Sequence, residues 1–183
     1  GLVIIDEAYA EFAGCSLVDV AMQSDRVLVT RTMSKAFGLA GLRIGYAIGA
    51  PDLVAAVEKS RGPYKVSAMA ARAAIAALGD GLPWVREHVD EVIALRTRFA
   101  DALRALGIEP LASGANFVLA PVADAAGLAA ALRARGVAVR PFEQLAAPAD
   151  TPLASTHGGA IRITIGPWPL LERALGALHE VLP

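Results

Sequence analysis

The stretch R-T-M-S-K-A-F-G-L-A-G-L-R-I-G-Y, residues 31–46, sets Lys35 between hydroxyl side chains on one side and glycines and Arg43 on the other. It follows R-V-L-V-T at 26–30, a short run rich in β-branched residues that reads as a strand. A lone lysine is ordinarily a solvated surface cation. Lys35 instead precedes an apolar, glycine-bearing run. A lysine held in a semi-apolar site beside other cations loses proton affinity and becomes a nucleophilic amine. Schiff-base chemistry requires such an amine.

Outward from this segment, apolar strands alternate with helices. Leu2–Ile5 reads as a fully buried strand ending in Asp6-Glu7, and Ile44–Ile48 as a strand closed by Gly49. Continuous apolar strands of this kind predict a sheet covered on both faces. Helices are expected near 52–60, after Pro51, and over 67–78, with Gly79 as the stop. The longest periodic segment is 82–106. Val85, Val89, Val92, Arg96, Phe99, Leu103 and Leu106 form one stripe, apolar except for Arg96. A helix of this length can link two lobes, with a boundary near residue 85, giving lobes 1–85 and 86–183. Strands are then expected at 116–120, 137–140 and 161–165, with helices over 125–135 and 170–182. The fold class is α/β.

Of the 183 residues, 17 are basic and 18 acidic, and 55% are hydrophobic. The balance gives no support to a nucleic-acid or membrane-surface binder, and the apolar content is enough for a sizeable core. Cys15 is the only cysteine, which excludes a disulfide framework and leaves a reducing compartment open. It reads as a small packing residue. His88 and His179 read as surface residues, and no metal site is expected. The chain opens at Gly1 on an apolar strand with no leader, which reads as a start inside a larger protein.

Several residues could act with Lys35. Asp6, at a strand end, either caps a turn or directs its carboxylate into a cleft. Tyr9 either packs in the core or presents its hydroxyl to a ligand. Thr32, Ser34 and Arg43 could hold a phosphate, and Arg162 stands in an otherwise uncharged strand after Gly158-Gly159.

The segments V-I-I-D-E-A-Y-A-E-F (3–12) and 31–46 resemble the two signatures of histidinol-phosphate aminotransferases, fold-type I pyridoxal-phosphate enzymes related to aspartate aminotransferase. A-N-F-V-L (115–119), V-R-P-F (139–142) and I-R-I-T-I-G (161–166) match in the same order. The resemblance covers the C-terminal half of the family enzyme. It implies part of the large domain, with a mixed or parallel sheet, followed by a small C-terminal α+β domain. It makes Lys35 the lysine that bonds the cofactor aldehyde and Asp6 the partner of the pyridinium nitrogen. Tyr9 would bond the ring oxygen, and Ser34, Arg43 and more weakly Thr32 would contact the phosphate. Arg162 would clamp the substrate carboxylate, and Arg140 would lie near the substrate's distal end. The reaction implied is transamination of histidinol phosphate with 2-oxoglutarate, both small molecules, by a cytoplasmic homodimer of the complete enzyme. Neither nucleic acid nor membrane takes part. Related possibilities are an aromatic aminotransferase, a threonine-phosphate decarboxylase-like enzyme, or an inactive fragment, since the family's N-terminal half supplies further cofactor contacts. Pro167-Trp168-Pro169 departs from the family's usual helix entry after Gly166, and Lys65 replaces an asparagine in the turn at 62–67.

Overall fold

In a computed structural model describing residues 1–182, Ile4 of the first strand is 61% exposed. That strand, β1 (Val3–Asp6), had been expected to be buried. It runs parallel to β2 (Val27–Thr32), which pairs antiparallel with β3 (Gly45–Gly49), giving a mixed sheet in the order β1-β2-β3. Two short helices, α1 (Ala10–Ala13) and α2 (Val18–Met22), link β1 to β2. The helix α2 packs on β2 and β3, and α3 (Pro51–Arg61) packs on β3. Burial therefore falls on the central strand β2, where Leu28 and Val29 are buried, while β1 lies at a sheet edge. Leu28 and Val29 face opposite sides of β2, so the central strand is covered on both faces as expected, and only the edge strand β1 is open.

The turn into α4 (Ala68–Leu78) is fixed by Ser67, whose hydroxyl accepts a hydrogen bond from the Ala70 amide at 3.1 Å. This satisfies one of the amides that a helix start leaves open. The long helix α5 (Leu82–Ala105) carries the expected stripe, with Val85, Val89, Val92, Phe99 and Leu103 all buried. Arg96 interrupts that stripe for a reason. Its guanidinium donates to the Ala115 carbonyl at 2.7 Å, tying the helix to the segment before β4 (Phe117–Pro121). The chain divides within α5 into two compact units, Gly1–Asp90 and Glu91 onward.

The second unit has an antiparallel sheet in the order β4-β6-β5, with β5 at Arg140–Phe142 and β6 at Ala160–Thr164. The helices α6 (Ala125–Ala134) and α7 (Trp168–Val181) pack against each other, and α6 also packs on β5 and β6. Val118, Leu132, Ile161 and Leu178 form its buried core. The strand expected over 137–140 begins only at Arg140. Gly136, at φ +76°, ends α6, and the Val137 amide is spent on the Leu132 carbonyl, a helix-closing bond. Pairing with β6 begins where Arg140 meets Arg162. The helix entry at α7 is built from the unusual prolines: Pro167 caps it and Pro169 sits in its first turn. Cys15 is exposed, not a packing residue. No helix among the described residues is long and apolar enough to cross a membrane.

Candidate active site

Because β1 and β2 are parallel, their carboxyl ends fall together, the usual place for a ligand site in such sheets. Asp6 is the last residue of β1 and pairs with Thr30. Its Oδ1 accepts the Ala8 amide at 3.0 Å, so one carboxylate oxygen holds the turn while the side chain stays exposed. Both readings of Asp6, turn cap and presented carboxylate, are thus compatible in one residue. The turn delivers Tyr9 at the start of α1, and the Lys35 Nζ lies 5.7 Å from the centre of its ring. That is within range for an ammonium to interact with an aromatic face.

Lys35 stands three residues past the end of β2. It is exposed, where a semi-apolar setting had been expected. The apolar residues that follow it, Ala36 and Phe37, are buried and anchor the loop while the lysine faces out. The loop's neck is closed by the Met33 amide on the Ile44 carbonyl at 3.1 Å. Within it, the Thr32 hydroxyl accepts the Ser34 amide at 3.1 Å. Arg43, at φ 50°, donates to the Ala40 carbonyl at 3.1 Å and remains exposed. Asp6, Tyr9, Thr32, Ser34, Lys35 and Arg43 therefore all belong to this one end of the first unit's sheet. A neighbouring cavity of about 380 Å³ is lined by Asp6 and Tyr9 but does not reach Lys35.

Close behind this end lies a polar cluster that the sequence did not reveal. The Arg31 Nε and Nη2 both donate to Glu7 Oε2, at 3.1 and 2.9 Å. The Leu17 amide donates to Glu7 Oε1, and the Ser16 hydroxyl donates to Oε2 at 2.9 Å. Glu11 adds a contact to Arg31 Nη1 at 3.5 Å. Burial alone would push the Glu7 carboxyl up. The Leu17 amide, the Ser16 hydroxyl and Arg31 outweigh it and hold the group below its ordinary range. Burial alone would lower Arg31, but Glu7, Tyr46 and Glu11 hold it above its usual value. The available sequence signal was slight: a single charge inside β2, and a glutamate directly after Asp6.

Arg140 and Arg162 belong to the second unit, where they are directly opposed across β5 and β6. Like charges placed so are mutually destabilising unless an anion joins them. Each guanidinium lies near an aromatic ring, Arg140 at 5.2 Å from Phe142 and Arg162 at 5.0 Å from Phe117. Both line a cavity of about 450 Å³, to which Arg173 of α7 adds a third guanidinium and no carboxylate side chain contributes. A cavity with this lining is suited to a carboxylate or phosphate.

The profile of aminotransferase class I and II matches residues 1–178. A histidinol-phosphate aminotransferase of Geotalea uraniireducens is 37% identical over 183 residues, covering 99% of this chain and 50% of that protein. One from Pseudomonas entomophila is 40% identical over 186 residues, covering 97% of this chain and 49% of its own length. The chain thus spans about half the length of the curated relatives it matches. A crystal structure of histidinol-phosphate aminotransferase from Sinorhizobium meliloti, in complex with pyridoxal-5′-phosphate, superposes with a TM-score of 0.79 at 31% identity. It covers 98% of this chain and 48% of that one. With its lysine loop, its strand-end acid and a profile match along nearly its whole length, the chain belongs to the class I and II aminotransferases.

Proposed function

We propose that this chain is the C-terminal part of a pyridoxal-phosphate-dependent aminotransferase that takes histidinol phosphate as amino donor and 2-oxoglutarate as acceptor. The complete enzyme would be a cytoplasmic homodimer serving histidine biosynthesis. The observation that carries the reading is the gathering of amine, acid and phenol at one sheet end, with Lys35 Nζ 5.7 Å from the Tyr9 ring and Asp6 closing the adjacent strand. This donor set suits the cofactor. Its aldehyde calls for an amine, its ring nitrogen for an acid, its ring oxygen for a hydroxyl donor, and its phosphate for hydroxyls and a cation. Lys35, Asp6, Tyr9, and Thr32 with Ser34 and Arg43 would fill those roles in turn.

When bound, pyridoxal phosphate supplies an aldehyde for the incoming amine and a ring that takes up the electron pair left by a breaking Cα–H bond. Asp6 holds a proton at the ring nitrogen. The Tyr9 hydroxyl donates to the ring oxygen. The Lys35 amine would take the substrate's α-proton as a general base and, as the ammonium acid, give it to the cofactor carbon that carries the aldehyde, a role worth about 10²–10⁴-fold. Ser34, Thr32 and Arg43 keep the phosphate in place. Arg162 grips a carboxylate with two parallel bonds, as a lysine could not. For histidinol phosphate, which lacks that carboxylate, the opposed pair Arg140 and Arg162 suits the phosphate.

The test is the absorption spectrum of the complete protein carrying this chain, with pyridoxal phosphate, before and after L-histidinol phosphate. Conversion of the lysine-bound band, with release of the keto product, is expected. Turnover of an unphosphorylated aromatic amino acid in preference, decarboxylation of threonine phosphate, or no turnover at all would contradict the assignment.

A further inference from the structure

The cluster behind the sheet end joins β2, whose end leads to Lys35, to the segment after β1 that presents Asp6 and Tyr9. Glu7 follows Asp6 directly, and its amide donates to the Thr30 carbonyl at 2.9 Å. Glu7 and Glu11 flank Tyr9 in sequence, and both carboxylates meet Arg31. Arg31 is the next-to-last residue of β2, four residues before Lys35. Side chains alternate along a strand, so Arg31 leaves β2 on the face opposite to Thr30 and Thr32. Thr30 is the partner of Asp6 across the sheet, which places the Arg31 cluster behind the ligand end. Ser16 completes the ring by accepting from Arg31 Nη2 at 2.9 Å while donating to Glu7. The side chains of Arg31, Glu7 and Glu11 are only 20%, 8% and 17% exposed. A pair so sheltered holds its geometry better than a surface ion pair.

We propose that Arg31, through Glu7 and Glu11, is a positioning residue that sets the spacing of the Asp6 carboxylate, the Tyr9 ring and the Lys35 amine. It touches none of the reacting atoms. Its guanidinium fork joins the strand that leads to Lys35 to Glu7, the neighbour of Asp6, and to Glu11, which with Glu7 brackets Tyr9. This rests on the functional reading above, in which those three groups face one cofactor. A lysine at position 31 keeps the charge but not the fork, so it can reach one carboxylate and leave the other loose.

The test uses the complete protein as wild type, Arg31→Lys and Glu11→Gln, with Arg104→Gln as a control that breaks an exposed ion-pair cluster in the second unit. Three quantities are read: thermal midpoint, the pH at which the lysine-bound cofactor band changes form, and kcat and KM separately. Arg31→Lys is expected to remain folded, to displace the pH midpoint of the band, and to lower kcat about 10²-fold with little change in KM, the scale of a small misplacement of reacting groups. Glu11→Gln is expected to shift the same midpoint to a lesser degree, and Arg104→Gln to leave band and kcat unchanged. A purely structural cluster would lower the thermal midpoint and leave both the band and kcat of the folded protein at wild-type values, which would overturn the proposal. Should Arg31→Lys not fold, Glu11→Gln decides alone: a wild-type band and kcat overturn the proposal, and a shifted midpoint supports it. If the wild-type protein takes up no cofactor, the functional reading itself falls, and the proposal with it. That outcome is distinct from cofactor uptake with a variant band that does not move.

Discussion

At the scale of single residues, the turn-holding role of Asp6 can be separated from its proposed part in the chemistry. One of its oxygens holds the turn through the Ala8 amide, and asparagine keeps an acceptor there while removing the charge. Asp6→Asn is therefore expected to leave the fold intact and to lower kcat by about 10²-fold or more, the scale of losing one preorganised electrostatic partner. Steady-state kinetics of the complete protein, with circular dichroism as the folding check, would show this. Wild-type kcat in the variant would exclude Asp6 from the chemistry. Glu7 makes a prediction about pH. Its carboxyl titrates below the ordinary value of 4.5 in the folded protein. The charged form is thus the one that the fold favours. Its stabilising contribution is fully present above pH 4.5 and fades as pH falls through the lower, folded value. Urea midpoints of wild type and Glu7→Gln should differ most near neutrality and converge in acid. A gap unchanged well below 4.5 would contradict the assignment. Lys35, Asp6 and Tyr9 could be singled out as candidates in the sequence because each falls beside a strand end within a distinctive local string. The Glu7–Arg31 link was not, because its two residues are brought together only by the pairing of β1 with β2, 24 positions apart.

At the scale of elements, the β2–β3 pairing depends on a missing side chain. A Cβ built on Gly45 would stand 2.6 Å from the Arg31 carbonyl oxygen, a backbone atom that cannot swing away. Gly45→Ala is expected to destabilise the first unit by about 1–3 kcal/mol, the usual range for forced overpacking, and to disturb the strand that leads into the lysine loop. Chemical denaturation measures this, and a variant as stable as wild type would show that the two strands have room to part. Most elements could be read from pattern: the stripe of α5, the Gly79 stop of α4 and the alternation in β6 are all local signals. Failures came where periodicity is not what decides. An apolar run such as 2–5 expresses a need for cover, and the edge position of β1 leaves it open within this chain. Val137 and its neighbours have strand-like composition, but the left-handed turn at Gly136 commits them to closing α6. The helices α1 and α2, at four and five residues, are too short for periodicity to reveal.

At the scale of the molecule, the balanced charge and the mixed α/β order fit an enzyme family whose ligands are small, and the two units carry distinct chemistry. The first presents an amine with an acid and a phenol. The second opposes two arginines in a cavity free of carboxylates. The most direct measurement of the central claim is the point of covalent attachment. The complete protein is loaded with pyridoxal phosphate, reduced with borohydride, digested and mapped by mass spectrometry. Within this chain the amine candidates are Lys35, Lys59 and Lys65, all exposed, so reactivity and not access alone decides among them. The pyridoxyl mass is expected on the peptide containing Lys35, stoichiometrically, and lost when L-histidinol phosphate is added before reduction. Labelling spread over Lys59 and Lys65, or a Lys35 peptide left unmodified, would contradict it.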